Sequence, residues 1–285
     1  MQRNNHRSAW SAAGIAALSL LFGAILGVAG AKLFFLLRCI GRSMSLQKIL
    51  SLSGEELSFT GGCIGFTAGI CLAGKLCRRD IGRLLDAWTI PACLLVAAGR
   101  VVEYYTAGFG VGDYLDGVPN LFPLTVQDYY GDTCLAVFTL EALTAVCVAV
   151  WAWICIRKGK TKLLFGRAVV LLCSAQLFWE MLRNSWIQMY AFCVHLEQVL
   201  CALVLLVLIA AWCMKAGKAG PVIVTVLLIG LNALMQYVQD KPYYFSAVLP
   251  KGIPVIIIVR VFFALTAAGI AAAGLTAAKR VSQAS

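Results

Sequence analysis

Long apolar runs, broken by short polar connections, divide this chain at roughly 9–37, 57–74, 84–107, 132–156, 164–182, 190–214, 220–238 and 254–278. A helical membrane span takes about 20 mainly apolar residues. None of the runs shows the short alternation of a membrane barrel, and helices are the other way to satisfy a backbone in lipid. The pattern predicts an all-α polytopic membrane protein of about eight transmembrane helices. The first run follows a basic start and contains Ala29-Gly30-Ala31, a cleavage-like tripeptide. It is far longer than the roughly 7–15-residue apolar core of a signal peptide, so it is read as a span.

Ionisable residues interrupt the runs in a pattern of their own. Arg100 and Glu103 fall near the end of the third run, Glu141 inside the fourth, Glu180 and Arg183 at the close of the fifth, and His195 and Glu197 near the start of the sixth. A charge deep in a bilayer costs about 2.5–3.5 kcal/mol on insertion scales, which makes a functional site the default reading. Snorkelling to the interface is the alternative for any one of them. Glu180 and Arg183, like Arg100 and Glu103, are spaced i, i+3 and share a helix face, so each pair is also able to neutralise itself. Arginine grips a phosphate bidentately, which lysine does less well. Two arginines on separate helices suit an anionic phospholipid headgroup.

Composition supports the class: 61% of residues are hydrophobic and 13% charged, with mean hydropathy +0.86. A soluble domain carries about twice that charge. The net charge of +11 is a topology signal and implies no nucleic-acid partner. Lys and Arg gather in alternate connections: Lys75 to Arg83, Arg157 to Arg167, Lys215 with Lys218, and Lys279 with Arg280. The positive-inside rule then places both termini in the cytoplasm, with Arg38, Arg42 and Lys48 running against it. The intramembrane ionisable residues, with Lys32 and Arg260, fall in or near the outer half of the bilayer. The connection 108–131 has no Lys or Arg but carries Asp113, Asp116 and Asp128. Its Tyr114, Phe122, Tyr129 and Tyr130 suit an arm lying at the outer interface.

The twelve cysteines are scattered and none forms a Cys-x-x-Cys pair, so they read as small membrane hydrophobes. Cys134 and Cys193 lie near the outer face and could pair, but the hydrophobe reading is preferred. His6 and His195 are the only histidines, which excludes a multi-histidine metal site; no metal or cofactor is expected. There is no internal repeat of the kind that favours a transporter. Gly61, Gly62, Gly65 and Gly69 in the second run, and Gly23, Gly27 and Gly30 in the first, admit close approach by another backbone or by a lipid headgroup.

Set in order, these residues resemble the prolipoprotein diacylglyceryl transferase family. Ser58-Phe59-Thr60-Gly61-Gly62 is similar to the family's Ser-Phe-His-Gly-Gly. Gly99-Arg100-Val101-Val102-Glu103-Tyr104 resembles its Gly-Arg-x-Gly-Asn-Phe. Leu140-Glu141 falls near its Tyr-Glu, Glu180-Met181-Leu182-Arg183 matches its Glu-x-x-Arg, and Glu197-Gln198 lies at its Gly-Gln. The resemblance covers about residues 10–214, a transferase-like transmembrane domain at 1–214, and leaves 215–285 as two additional helices. It implies a bacterial inner-membrane protein with its site facing the outer leaflet. The implied activity moves the diacylglyceryl group of phosphatidylglycerol, or another anionic phospholipid, onto the lipobox cysteine of a preprolipoprotein. Arg100, Arg183, Glu103 and His195 are the catalytic candidates: the two arginines match the family's essential arginines and suit the phosphate, and Glu103 or His195 is the candidate base in place of the family's histidine. Ser58, Thr60, Gly61, Gly62, Glu141, Glu180 and Gln198 are the substrate-binding candidates. Thr60 stands where the family has histidine, Glu103 stands where it has asparagine, and a tyrosine of the family's first span has no equivalent here. The alternative on the same scaffold is a non-catalytic phospholipid-binding or accessory protein. A small-molecule transporter is a further rival, but it calls for polar residues through to the inner face, where Asp86 is nearly the only acid.

Overall fold

The computed structural model describes residues 11–39, 45–115, 117–128, 131–183, 194–240 and 255–284. Arg42, Asp116, Tyr129, Tyr130 and Cys193 lie outside them, and with Cys193 any pairing with Cys134. Among the described residues, eight helices are long and apolar enough to cross a membrane, so the chain is an all-α polytopic membrane protein. It divides within its fourth helix into two units, Met1–Ala92 and Cys93–Ser285.

In the first unit, α1 (Ala12–Arg38) packs on α3 (Phe59–Leu76). A short α2 (Leu46–Leu50) and a 3-10 turn (Gly54–Glu56) lie between them. Glycine makes the α1–α3 contact possible. A Cβ on Gly30 would stand 2.6 Å from the Gly61 carbonyl oxygen, and one on Gly61 would stand 2.7 Å from the Gly30 carbonyl oxygen. Any side chain at either position forces the backbones apart, the small-residue packing known from membrane helices. Ser58 caps α3 by accepting from Gly61 N–H at 3.2 Å, while its own N–H donates to Ala31 O at 3.0 Å. Lys32, half-buried in the first run, donates to the Ser51 carbonyl at 2.6 Å and lies 3.4 Å from Glu56.

The second unit begins within α4 (Ile81–Ala107) and continues through an arm into α5 (Val137–Arg157), α6 (Leu164–Leu182), α7 (Leu196–Ala216), α8 (Gly220–Asp240) and α9 (Val255–Ala284). The fourth apolar run therefore starts its helix at Val137, not near 132. Thr133–Leu135 is instead strand β2, paired antiparallel with β1, Thr125–Gln127. The Asp128 and Asp132 backbones and the Asp128 carboxylate close the turn between them, and β-branched Thr125, Val126 and Thr133 suit the strands. Val170, Leu177, Leu205, Ile209 and Ile270, from α6, α7 and α9, form the packed centre. Large apolar side chains such as Val207, 70% exposed, and Leu227, 66% exposed, point outward, as lipid contact requires. Apolar residues thus occupy both the inside and the outside of this unit. A set of polar side chains, among them Arg100, Glu141, Glu180, Arg183 and His195, is buried between its helices.

Candidate functional site

Four helices of the second unit deliver charge to one buried cluster. Arg100 and Glu103 come from the last turns of α4, Glu141 from the first turns of α5, and Glu180 and Arg183 from the end of α6. His195 is the N-cap of α7, and Glu197 and Gln198 lie in its first turn. Two placements follow helix electrostatics. Arg183 at a C-cap and Glu197 in a first turn each face the favourable end of a helix dipole.

The two guanidiniums are held by the four carboxylates in a lattice. Arg100 lies 2.7 Å from Glu103, 3.4 Å from Glu141 and 3.1 Å from Glu197. Arg183 Nη2 lies 3.1 Å from Glu103 and 3.0 Å from Glu141, and its Nη1 lies 3.7 Å from Glu180 and 3.8 Å from Glu197. The side chains of Arg100, Arg183, Glu141 and Glu180 are between 0% and 3% exposed, while Glu103 and Glu197 are 12% and 11% exposed. Self-pairing along one helix is thus only part of the bonding: Glu103 and Glu141 each join arginines from α4 and α6. Snorkelling does not describe groups this buried.

His195 Nδ1 lies 3.1 Å from Glu180 Oε1, so a carboxylate orients the imidazole. Gln198 Oε1 accepts from the His195 backbone N–H at 3.1 Å and closes the start of α7. Gln176, absent from the expected site, donates to Glu141 at 2.6 Å and to Glu180 at 3.3 Å. Its signal was its i, i+4 spacing from Glu180. Counting two arginines against four glutamates leaves a formal charge of 2 − 4 = −2, or −1 with His195 protonated. Arg183 nonetheless keeps two buried N–H groups, Nε and Nη1, with no hydrogen-bond partner among the described residues. Buried donors are nearly always paired, so this guanidinium has capacity for a further acceptor.

The arm passes directly over Arg183. Gly112 forms an antiparallel bridge with Arg183, and Phe138 N–H donates to Gly110 O at 2.8 Å. Gly110 has φ +95°, and a Cβ there would lie 2.8 Å from Phe138 Cβ and 3.3 Å from Arg183 Nη2. Neither glycine is among the expected site residues, although Gly108-Phe109-Gly110-Val111-Gly112 carries the signal. Ser58, Thr60, Gly61 and Gly62 belong to the first unit. There the Ser58 hydroxyl is engaged as a cap, Gly61 is filled by the α1 backbone, and Thr60 is half-buried.

A family model for prolipoprotein diacylglyceryl transferase matches residues 1–214. The chain belongs to this family. The match takes in every residue of the charged cluster and ends inside α7, before α8 and α9. No curated protein and no solved structure matches the chain at a significant level. Family membership and eight span-length helices together make it a multi-pass membrane protein with a transferase-like role in lipoprotein biosynthesis.

Proposed function

We propose that the protein transfers the diacylglyceryl group of phosphatidylglycerol to the thiol of a lipobox cysteine, at the outer leaflet of a bacterial cytoplasmic membrane. The observation that carries this reading is the Arg183 guanidinium, buried yet with two N–H groups lacking a hydrogen-bond partner among the described residues. Phosphate oxygens, like carboxylates, are acceptors that such donors suit. Glu103 and Glu141 hold the Nη2 edge of the guanidinium, and Gln176 braces Glu141, so the remaining donors stay aimed.

In the reaction, the cysteine S–H proton passes to a base. The thiolate then forms a new S–C bond to the glyceryl carbon that carries the phosphate. The C–O bond breaks, and its electron pair leaves with the glycerol phosphate. The site must favour a thiolate and hold the departing charge. Of the two base candidates, His195 fits better. Glu103 is engaged by both arginines, whereas the His195 imidazole is oriented by the Glu180 carboxylate. The proton gained by His195 also offsets part of the cluster's surplus negative charge. Arg100 holds Glu103, Glu141 and Glu197 together and acts as scaffold to Arg183.

Thr60, at the position of the family's histidine, favours a second reading: a phospholipid-binding or accessory protein that performs no transfer. One experiment separates the two. Purified protein in phosphatidylglycerol nanodiscs is given a synthetic lipobox peptide, and mass spectrometry follows its cysteine. A diacylglyceryl adduct that disappears in Arg183→Ala supports transfer. Bound phosphatidylglycerol with no adduct, beside an active family enzyme, sinks transfer and leaves the binding reading.

A further inference from the structure

The family match ends at residue 214, yet α8 hydrogen-bonds Gln198, beside the charged cluster. Thr225, Asn232, Gln236 and Gln239 recur along α8 at separations of 7, 4 and 3, which places them on one face. Thr225, Asn232 and Gln236 are buried. Asn232 donates to Thr266 of α9 at 3.3 Å. Gln236, one turn along, is differently engaged. Its Oε1 accepts from Gln198 Nε2 at 3.4 Å. Gln198 in turn accepts from the His195 N–H at 3.1 Å, and His195 Nδ1 lies 3.1 Å from Glu180. An unbroken chain of hydrogen bonds thus runs from α8 through α7 to the end of α6.

The direction of that chain follows from the chemistry of its ends. A backbone N–H only donates, so Gln198 must turn its oxygen to His195 and its NH2 to Gln236. Gln236 must then present its oxygen. An apolar residue at this position would leave the Gln198 NH2 buried without this acceptor. A helix added only to thicken the bundle against lipid would need no carboxamide here.

We propose that α8 is an integral part of the site and that Gln236 is a positioning residue. It holds the Gln198 carboxamide, which sets the first turn of α7 and with it the placement of His195 against Glu180. This rests on the transferase reading for its kinetic consequence but not for its structural one.

The test uses the full chain in phosphatidylglycerol nanodiscs and reads two quantities: peptide transfer kinetics and hydrogen exchange of the segment 194–199. Gln236→Met keeps length and removes the acceptor, and Gln236→Asn keeps the amide but withdraws it by one methylene should the first variant fail to insert. Either change should lower kcat and speed exchange of the segment roughly ten-fold, as loss of one buried hydrogen bond predicts, with KM for the peptide unchanged. Gln198→Met with Gln236→Met should be no slower than Gln198→Met alone, since both act through one chain. Asn232→Leu, on the same stripe but bonded to α9, should change neither quantity. Multiplicative losses in the double variant overturn the proposal, as does unchanged exchange in both Gln236 variants. If the wild-type protein shows no transfer, the transferase reading fails and the exchange measurement alone decides the role of Gln236.

Discussion

Arg183 Nη2 lies 3.0 Å from Glu141 Oε2, joining the end of α6 to the start of α5 with both side chains 2% exposed. Removing one partner of such a pair costs about 3–5 kcal/mol, because the other charge stays buried and uncompensated. The surplus of carboxylates makes the cost unequal. Arg183→Met takes the cluster from −2 to −3, whereas Glu141→Gln takes it from −2 to −1 and keeps a hydrogen-bonding side chain. Arg183→Met should therefore lower the unfolding temperature in detergent clearly more than Glu141→Gln. Equal losses would mean that shape, not charge balance, sets the stability of the cluster.

Gly110 gives a prediction about the arm. Its φ of +95° and a would-be Cβ 2.8 Å from Phe138 make Gly110→Ala both strained and crowded. Strain of this kind costs about 1–3 kcal/mol, and here it falls beside Arg183. Gly117 also has positive φ, at +72°, but a Cβ there meets nothing within 4 Å. Gly117→Ala carries the left-handed penalty of about 1–2 kcal/mol alone. Transfer activity should fall at least ten-fold more in Gly110→Ala than in Gly117→Ala when both are assayed well below their unfolding temperatures. Similar activities would show that the arm's passage over Arg183 does not matter to the site.

The Arg260–Asp113 pair ties α9 to the same arm, with side chains 29% and 45% exposed. Pairs this open contribute about 0–1 kcal/mol. Asp113→Asn should leave the unfolding temperature almost unchanged but speed protease cleavage within 108–131, because the loss is local. A large fall in global stability would mean that the pair is screened from water far better than its exposure indicates.

The eight spans were legible because apolar length is a strong signal, and the cluster was legible because charges inside such runs have few innocent explanations. Other features are tertiary and left little trace. Nothing in Thr133-Cys134-Leu135 marks a strand rather than the start of a span until Thr125-Val126-Gln127 is seen beside it. Gln176 and Gln236 are neutral, so they did not stand out among apolar neighbours as arginine and glutamate did. The sequence left Gly61 and Gly62 open between helix packing and headgroup approach. The Gly30 carbonyl 2.7 Å from the Gly61 Cβ position shows that packing uses Gly61.

That contact is directly testable. Gly30→Leu must push α1 and α3 apart, since a Cβ alone would stand 2.6 Å from Gly61 O. Overpacking of this kind costs about 1–3 kcal/mol or more. The variant should insert poorly or lose unfolding temperature, whereas Gly220→Ala, where no atom lies within 4 Å, should not. Tolerance of Gly30→Leu would refute the close approach of the two backbones.

The identity of the base is the sharpest question about the chemistry. A positioned general base contributes about 10²–10⁴-fold, so His195→Asn should reduce transfer by at least the lower of these if His195 takes the thiol proton. Glu103→Gln offers the contrast. It also removes the charge that pairs with each arginine, so its effect should appear in unfolding temperature as well as rate. Thr60→His restores the residue type of the family motif. If His195 has taken over the proton transfer, Thr60→His should raise the rate no more than a few-fold and should not rescue His195→Asn. A large gain from Thr60→His, with His195→Asn silent, would place the base requirement in the first unit. The chain would then be a transferase that has lost its base, and the phospholipid-binding reading would hold for the protein as it stands.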